Sequence, residues 1–304
     1  MPLFSRSVFR LVAERASYRS YVGAPDDALA ALEKSLATLP PSPFGTPVRV
    51  VLIRNFDPAS HGVTKLGTYG VIQGATHFLV GVMPARDPGY EDMGYVFEVA
   101  ILAATDAHLQ TCWVGGTLRR DAFARAAGAS PEEVVPVVTP VGRARERRSL
   151  VDLAFRFVAG SKDRKPWGEL FFVRNFDTPM VPPQARDQEI LMPGASLESG
   201  LSRDACVARA LSLVRRAPSA SNRQPWRVVY DPDQGAAHFY LSRTPGYRTL
   251  TDVDLQRIDM GIAMCHFELG CAELGLPGTW TRERFLRSGV PAGLEPVATF
   301  QMQG

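Results

Sequence analysis

Asp92-Met93-Gly94-Tyr95-Val96-Phe97-Glu98-Val99-Ala100-Ile101-Leu102-Ala103-Ala104 opens a segment that runs at helical spacing to His108 and is apolar on almost every side. A helix without a polar face has to be buried all round, inside a large core or against a second helix of the same kind. That second helix is in the same chain. Asp259-Met260-Gly261 through Trp280 aligns without gaps on Asp92-Met93-Gly94 through Trp113, at a constant offset of 259 − 92 = 167. Six of those 22 positions are identical: the Asp-Met-Gly triplet, Leu102/Leu269, Leu109/Leu276 and Trp113/Trp280. Flanking pieces repeat at slightly different offsets, Ala75-Thr76-His77-Phe78 with Ala236-Ala237-His238-Phe239, and Pro136-Val137-Val138-Thr139 with Pro296-Val297-Ala298-Thr299. A repeat this long is a duplicated domain and not a solenoid, whose periods run about 20–50 residues. Two copies in one chain can pack about a pseudo-twofold axis as the subunits of a homodimer would, with the two apolar helices meeting near it.

Outward from the repeat, the periodicities predict helices over Phe4–Arg15, Asp26–Leu39 and around Val207–Val214, and strands over Val48–Ile53, His77–Met83 and Arg227–Tyr230. Asn55 to Gly74 is polar and Gly-rich and reads as a loop or lid. The division that follows is a first half over 1–178 with a basic C-terminal extension, a Pro-rich connection over 179–193, and a second half over 194–304. At 304 residues, 45% hydrophobic and 21% charged, the chain can bury two ordinary cores. A net charge of +3 with scattered Arg residues gives no reason to expect nucleic acid, and the run from Arg143 to Arg148 reads as a solvated face. No apolar run reaches the roughly 18 residues of a membrane span. Four cysteines (Cys112, Cys206, Cys265 and Cys271) form no C-x-x-C pair and read as reduced thiols of a cytoplasmic protein. Met1 to Tyr21 has the Arg-rich, acid-poor composition of a transit peptide, but it carries residues assigned to the site below and is read as part of the fold.

The copies differ at two places. Where a helix gives way to a strand in the second half, the chain reads Pro218-Ser219-Ala220-Ser221-Asn222-Arg223-Gln224-Pro225-Trp226, with hydroxyls and amides able to read the edge of a flat heterocycle. The matching corner of the first half is Pro41-Ser42-Pro43-Phe44-Gly45-Thr46-Pro47-Val48, without the amides. Conversely, Arg15-x-Ser17-x-Arg19 and Lys162-x-Arg164 have no counterpart in the second half. Cations survive in one copy and amides in the other.

The string P-S-x-x-N-x-Q-P-W, with R-x-S-x-R near the N-terminus, resembles the FMN-dependent nitroreductase family, and the arrangement resembles its tandem-duplicated branch over essentially the whole chain. The resemblance implies an α+β, nitroreductase-like fold: two homologous halves packed as a pseudo-dimer, each a mixed, mainly antiparallel sheet flanked by helices. It implies one FMN site. Arg15, Ser17, Arg19, Lys162 and Arg164 would hold the phosphate and ribityl chain, Gly115 and Gly116 would lie close to the ring, and Pro218, Ser219, Ser221, Asn222 and Gln224 would complete the pocket. Lys65 is a further candidate to reach the flavin. Implied with it is an oxidoreductase taking hydride from NADH or NADPH and reducing an electron-poor small molecule, nitroaromatic or quinone, with no catalytic side chain required beyond the cofactor. The internal pseudo-dimer would let a single chain act as a monomer. Two other readings stay open: other flavin chemistry on the same scaffold (desaturation or flavin breakdown), and a flavin-binding or structural protein without turnover. His77 and His238 recur in both copies and read as packing residues, and Cys265, His266 and Cys271 lack zinc-ligand spacing.

Overall fold

A computed structural model of the protein describes residues 3–56, 72–86, 89–116, 120–145, 163–182, 200–246, 252–283, 285–286 and 288–303. The first half contains α1 (Val8–Glu14), α2 (Asp26–Leu36), β1 (Arg49–Ile53), β2 (Phe78–Pro84), α3 (Tyr90–Asp106), β3 (Gln110–Thr111), α4 (Arg120–Ala126) and β4 (Glu133–Gly142). After the short helix α5 (Trp167–Leu170) and strand β5 (Phe171–Val173), the second half follows with α6 (Arg203–Arg216), β6 (Trp226–Asp231), β7 (Ala236–Ser242), α7 (Leu255–Glu273), β8 (Gly278–Thr281) and β9 (Leu294–Met302). Among the described residues, no helix is long and apolar enough to cross a membrane.

Each half forms its own sheet. The first has strand order β1-β2-β4-β3, antiparallel throughout. The second runs β5-β6-β7-β9-β8, and its β6-β7-β9-β8 part repeats the first sheet strand for strand. The extra strand is β5, which pairs parallel to β6 with Phe171 beside Val228 and Val173 beside Tyr230. Chain from the first half's basic extension thereby completes the second half's sheet.

The two central helices meet as the repeat predicts. α3 packs on α7 more extensively than on any other element, with α2 behind α3 and α6 behind α7. A Cβ at Gly94 would run into the Ile258 carbonyl, and one at Gly261 into the Glu91 carbonyl. Since 91 + 167 = 258 and 94 + 167 = 261, these contacts are one contact repeated by the pseudo-twofold, as an isologous interface requires. The glycines let the backbones come close enough to bury both helices, and one continuous apolar core includes residues of both halves. A second, smaller cluster groups Phe56, Phe78 and Phe123, with ring centroids 5.0–5.7 Å apart.

His77 and His238 are both buried, His77 just before β2 and His238 within β7: the Asn55 amide donates to His77 Nδ1 at 3.3 Å, and His238 Nδ1 lies 2.8 Å from Thr299 Oγ1. The first helix starts at Val8 and not at Phe4, because a carboxylate from the second half takes its end: the Val8 amide donates to Glu273 Oε2 at 2.6 Å and Ser7 Oγ to Glu273 Oε1.

Candidate functional site

Pro218 to Trp226 leaves α6 and enters β6 through a strained corner. Ala220–Asn222 makes one turn of 3-10 helix, and Ser221, Asn222 and Gln224 hold left-handed φ values of 50°, 53° and 48°. Each such L residue costs on the order of 1–2 kcal/mol and persists only where the surroundings over-determine the backbone. Those surroundings are present. Ser219 Oγ accepts the Gln224 amide at 2.9 Å, and Asp259 Oδ1, from the second turn of α7, accepts the Ala220 amide at 2.9 Å. Both side-chain amides of the corner bind the segment 163–165. Asn222 Nδ2 donates to the Asp163 carbonyl at 2.8 Å, Gln224 Nε2 donates to it at 3.2 Å, and the Lys165 amide donates to Gln224 Oε1 at 3.0 Å. Arg164 donates to Asn222 Oδ1 at 2.9 Å and to the Arg216 and Ala217 carbonyls at 2.9 and 3.1 Å, satisfying acceptors left open where α6 ends.

Arg164 ties the corner to the N-terminal cations. Burial, followed by the charges of Arg15, Arg215 and Arg216, pushes its pKa down to about 10. The Arg15 side chain is only 8% exposed, yet its Nε and Nη1 have no hydrogen-bond partner among the described residues. Glu98 Oε1, the carboxylate oxygen beside it, stands 4.0 Å from Nε. That oxygen lies 2.9 Å from His266 Nε2, and Glu98 Oε2 accepts Trp113 Nε1 at 2.8 Å. Buried donors normally find partners, so Arg15 carries donor capacity that no acceptor among the described residues uses. A planar fork of that kind suits a phosphate or carboxylate.

The other predicted residues that the structure describes take the following places. Ser17 bridges to Thr111, and the Tyr18 amide donates to the Thr111 carbonyl at 3.0 Å, so the Arg15–Arg19 strip lies beside β3 at Ser17 and Tyr18. A Cβ at Gly115 would come within 2.7 Å of Leu255 Cδ2. Leu255 precedes Asp259 by one turn of α7, which places the glycine turn and the Ser219–Gln224 corner at the same helix end. Arg19 lies further along the strip, its carbonyl accepting the Gln73 amide at 2.8 Å. Lys162 and Lys65 lie outside the described residues.

The pseudo-twofold maps this centre onto the N-terminal end of α3, and that place is filled by side chains. Gly115 corresponds to Arg282 (115 + 167). The Arg282 guanidinium lies 4.0 Å from the centroid of the Phe44 ring and donates to Glu91 Oε2 at 3.4 Å. Phe44 belongs to the first corner, where Asp92 accepts the Phe44 and Thr46 amides at 2.9 and 3.0 Å.

Sequence reading does not find Glu98, Asp259 or the Phe44–Arg282 stack, and it considers His266 only as a zinc ligand. The available signal was the presence of ionisable residues inside helices read as apolar. Cys265 and Cys271 are fully buried, and burial pushes both thiols well up. Among the described residues, no group of three or more His, Cys, Asp or Glu is placed to hold a metal.

The family model described as "Putative TM nitroreductase" matches residues 7–271. A Thermotoga maritima crystal structure described as a "putative nitroreductase" is 15% identical, over 98% of this chain and 94% of that one, with a TM-score of 0.55. It shares the fold. A nitroreductase family protein of Clostridium novyi is 15% identical over 47% of this chain and 90% of that one, with a TM-score of 0.39. An FMN-dependent nitroreductase of Clostridium difficile is 17% identical over 46% and 88%, with a TM-score of 0.37. No curated protein matches the chain. With the family model spanning both halves and the repeated sheets and paired central helices in place, the chain belongs to the TM nitroreductase family.

Proposed function

We propose that the protein binds one FMN between its halves and works as an FMN-dependent oxidoreductase that takes hydride from NADH or NADPH and reduces an electron-poor small molecule of the nitroaromatic or quinone type. The observation that carries this reading is Arg15, a buried guanidinium whose Nε and Nη1 have no partner among the described residues and whose charge, with those of Arg215 and Arg216, acts on Arg164. That set suits a doubly charged phosphate monoester. Arg15, Arg164 and Lys162 hold the phosphate side, Ser17 and Arg19 continue along the ribityl chain, and the Gly115–Gly116 turn lets backbone approach a planar ring. Pro218, Ser219 and Ser221 close the second-half side, while Asn222 and Gln224 act by fixing the 163–165 segment there. When bound, the flavin supplies the hydride chemistry; the chain supplies binding, orientation and exclusion of water. The Phe44–Arg282 stack at the opposite end supports one site per chain and not two. Since both halves belong to one chain, a monomer suffices.

Titration with FMN, followed by fluorescence quenching, tests this. One equivalent is expected to bind, and Arg15→Met to weaken it about 10- to 100-fold, the worth of hydrogen bonds to a charged group. Anaerobic NADH or NADPH should bleach the bound flavin, and a nitroaromatic or quinone should restore it. No binding, or two equivalents, overturns the site; binding without bleaching overturns the oxidoreductase.

A further inference from the structure

Among the described residues, Nε and Nη1 of Arg15 have no hydrogen-bond acceptor although the buried Glu98 carboxyl stands 4.0 Å from Nε, and the reason lies across the interface between the halves. Glu98, fully buried on α3, is 2.9 Å from Nε2 of His266, fully buried on α7. His266 Nδ1 is 3.0 Å from the Leu213 carbonyl of α6. A carbonyl only accepts, so Nδ1 carries a hydrogen. The contact between Nε2 and Oε1 then closes only if the two groups share one further proton. On nitrogen or on oxygen, that proton leaves the pair neutral as a unit. The second carboxyl oxygen is occupied by the Trp113 indole at 2.8 Å.

We propose that His266 is a positioning residue acting through Glu98: by engaging that carboxyl and its charge, it keeps the Arg15 guanidinium open to an anionic ligand of the phosphate class. The identity of the ligand as FMN rests on the reading above; the charge argument does not. The pair is one-sided. At the repeat offset of 167, Glu98 corresponds to Cys265 and Val99 to His266, so the pseudo-equivalent place has no carboxylate–imidazole pair. The pair stands only on the side of the axis that retains Arg15, with one member from each half.

The full-length chain and its His266→Leu, Glu98→Gln and doubly substituted variants are compared for FMN and riboflavin affinity, since the two ligands differ only in the phosphate. In His266→Leu the carboxyl loses its partner and turns to Arg15, and FMN binding is expected to weaken by about tenfold or more while riboflavin binding holds. In Glu98→Gln the amide can donate to His266 Nε2 and accept from Trp113, so the preference for FMN is retained; the double variant restores it. Equal loss of both flavins in His266→Leu, or a selective loss of FMN in Glu98→Gln, overturns the proposal. Should His266→Leu not fold, Glu98→Gln decides alone, because a carboxylate that served the anion site would be missed there. If the wild-type chain binds neither flavin, the FMN reading falls and the thermal shift with inorganic phosphate decides: a rise in Tm that Glu98→Gln keeps and His266→Leu loses supports the proposal, and a wild-type Tm indifferent to phosphate overturns it.

Discussion

The corner at Pro218–Trp226 and the corner at Pro41–Val48 occupy equivalent places in the two halves, yet they are stabilised in different ways. In the second, three L residues stand in left-handed conformation and are held there by Asp259, Ser219 and the 163–165 segment. In the first, the left-handed position is Gly45, and Asp92 satisfies two backbone amides with its two oxygens. Asp259, only 3% exposed, accepts one amide, and its Oδ2 has no partner among the described residues. A corner at rest, with a satisfied carboxylate and an aromatic ring stacked under Arg282, is structural. A corner kept under strain, with polar groups incompletely used, is the kind of place where binding energy is collected.

The comparison can be broken most forcefully at Gln224, which is 2% exposed and bonds to both Asp163 and Lys165. Gln224→Ala removes a buried side chain and leaves the part-buried Lys165 amide without its acceptor; it should lower stability by about 2–4 kcal/mol in urea melts and open the 163–165 segment to proteolysis. Ser42→Ala in the first corner removes one bond, to the Thr46 carbonyl, and should cost about 1 kcal/mol. Equal effects would erase the distinction.

The paired aspartates come next. Asp92→Asn turns one of two acceptors into a donor facing an amide and should cost about 1–3 kcal/mol at neutral pH. Asp259 behaves differently, because burial pushes its carboxyl well above the usual range. A raised folded pKa means that the folded chain binds more protons than the unfolded one above about pH 4. Its stabilising contribution is therefore complete below that pH and is lost as pH rises through the folded value. Asp259→Asn should remove that slope, gaining on the wild type between pH 5 and pH 8 in urea melts. A wild type that grows more stable relative to the variant as pH rises would contradict the assignment.

The smallest effects lie in the backbone. Gly45→Ala meets no neighbour but places an L residue at φ 82° and should cost about 1 kcal/mol. Ser221→Gly should raise stability by about 0.5 kcal/mol, since glycine adopts φ 50° freely. Thermal melts of the two variants should move in opposite directions.

Much of the fold was legible because its signals are local or repeated. Periodicity placed the helices and strands to within a few residues, and identities at a constant offset revealed the two halves and the helix pair between them. The site was legible as a division of residue types, cations near Arg15 and amides near Asn222. What those residues touch was not. β5 is three residues long, and nothing in Phe171-Phe172-Val173 says that it joins the second sheet and not the first. Glu98 and His266 are 168 positions apart, and each alone is a polar interruption in an apolar helix. Arg282 and Phe44 are unremarkable in sequence and meet only because the pseudo-twofold brings the start of α3 to them.

The amino-acid sequence by itself determined the duplication, the longer helices, three of the strands and which half kept which side chains, because burial periodicity and motif spacing are written along the chain. Only the tertiary structure decided that the amides clamp Arg164's segment, that Arg15 is left with unused donors and that the equivalent place is closed. These outcomes depend on hydrogen bonds between segments brought together by the packing of α3 on α7, and no spacing along the chain encodes the distances that make such bonds form or leave them unmade.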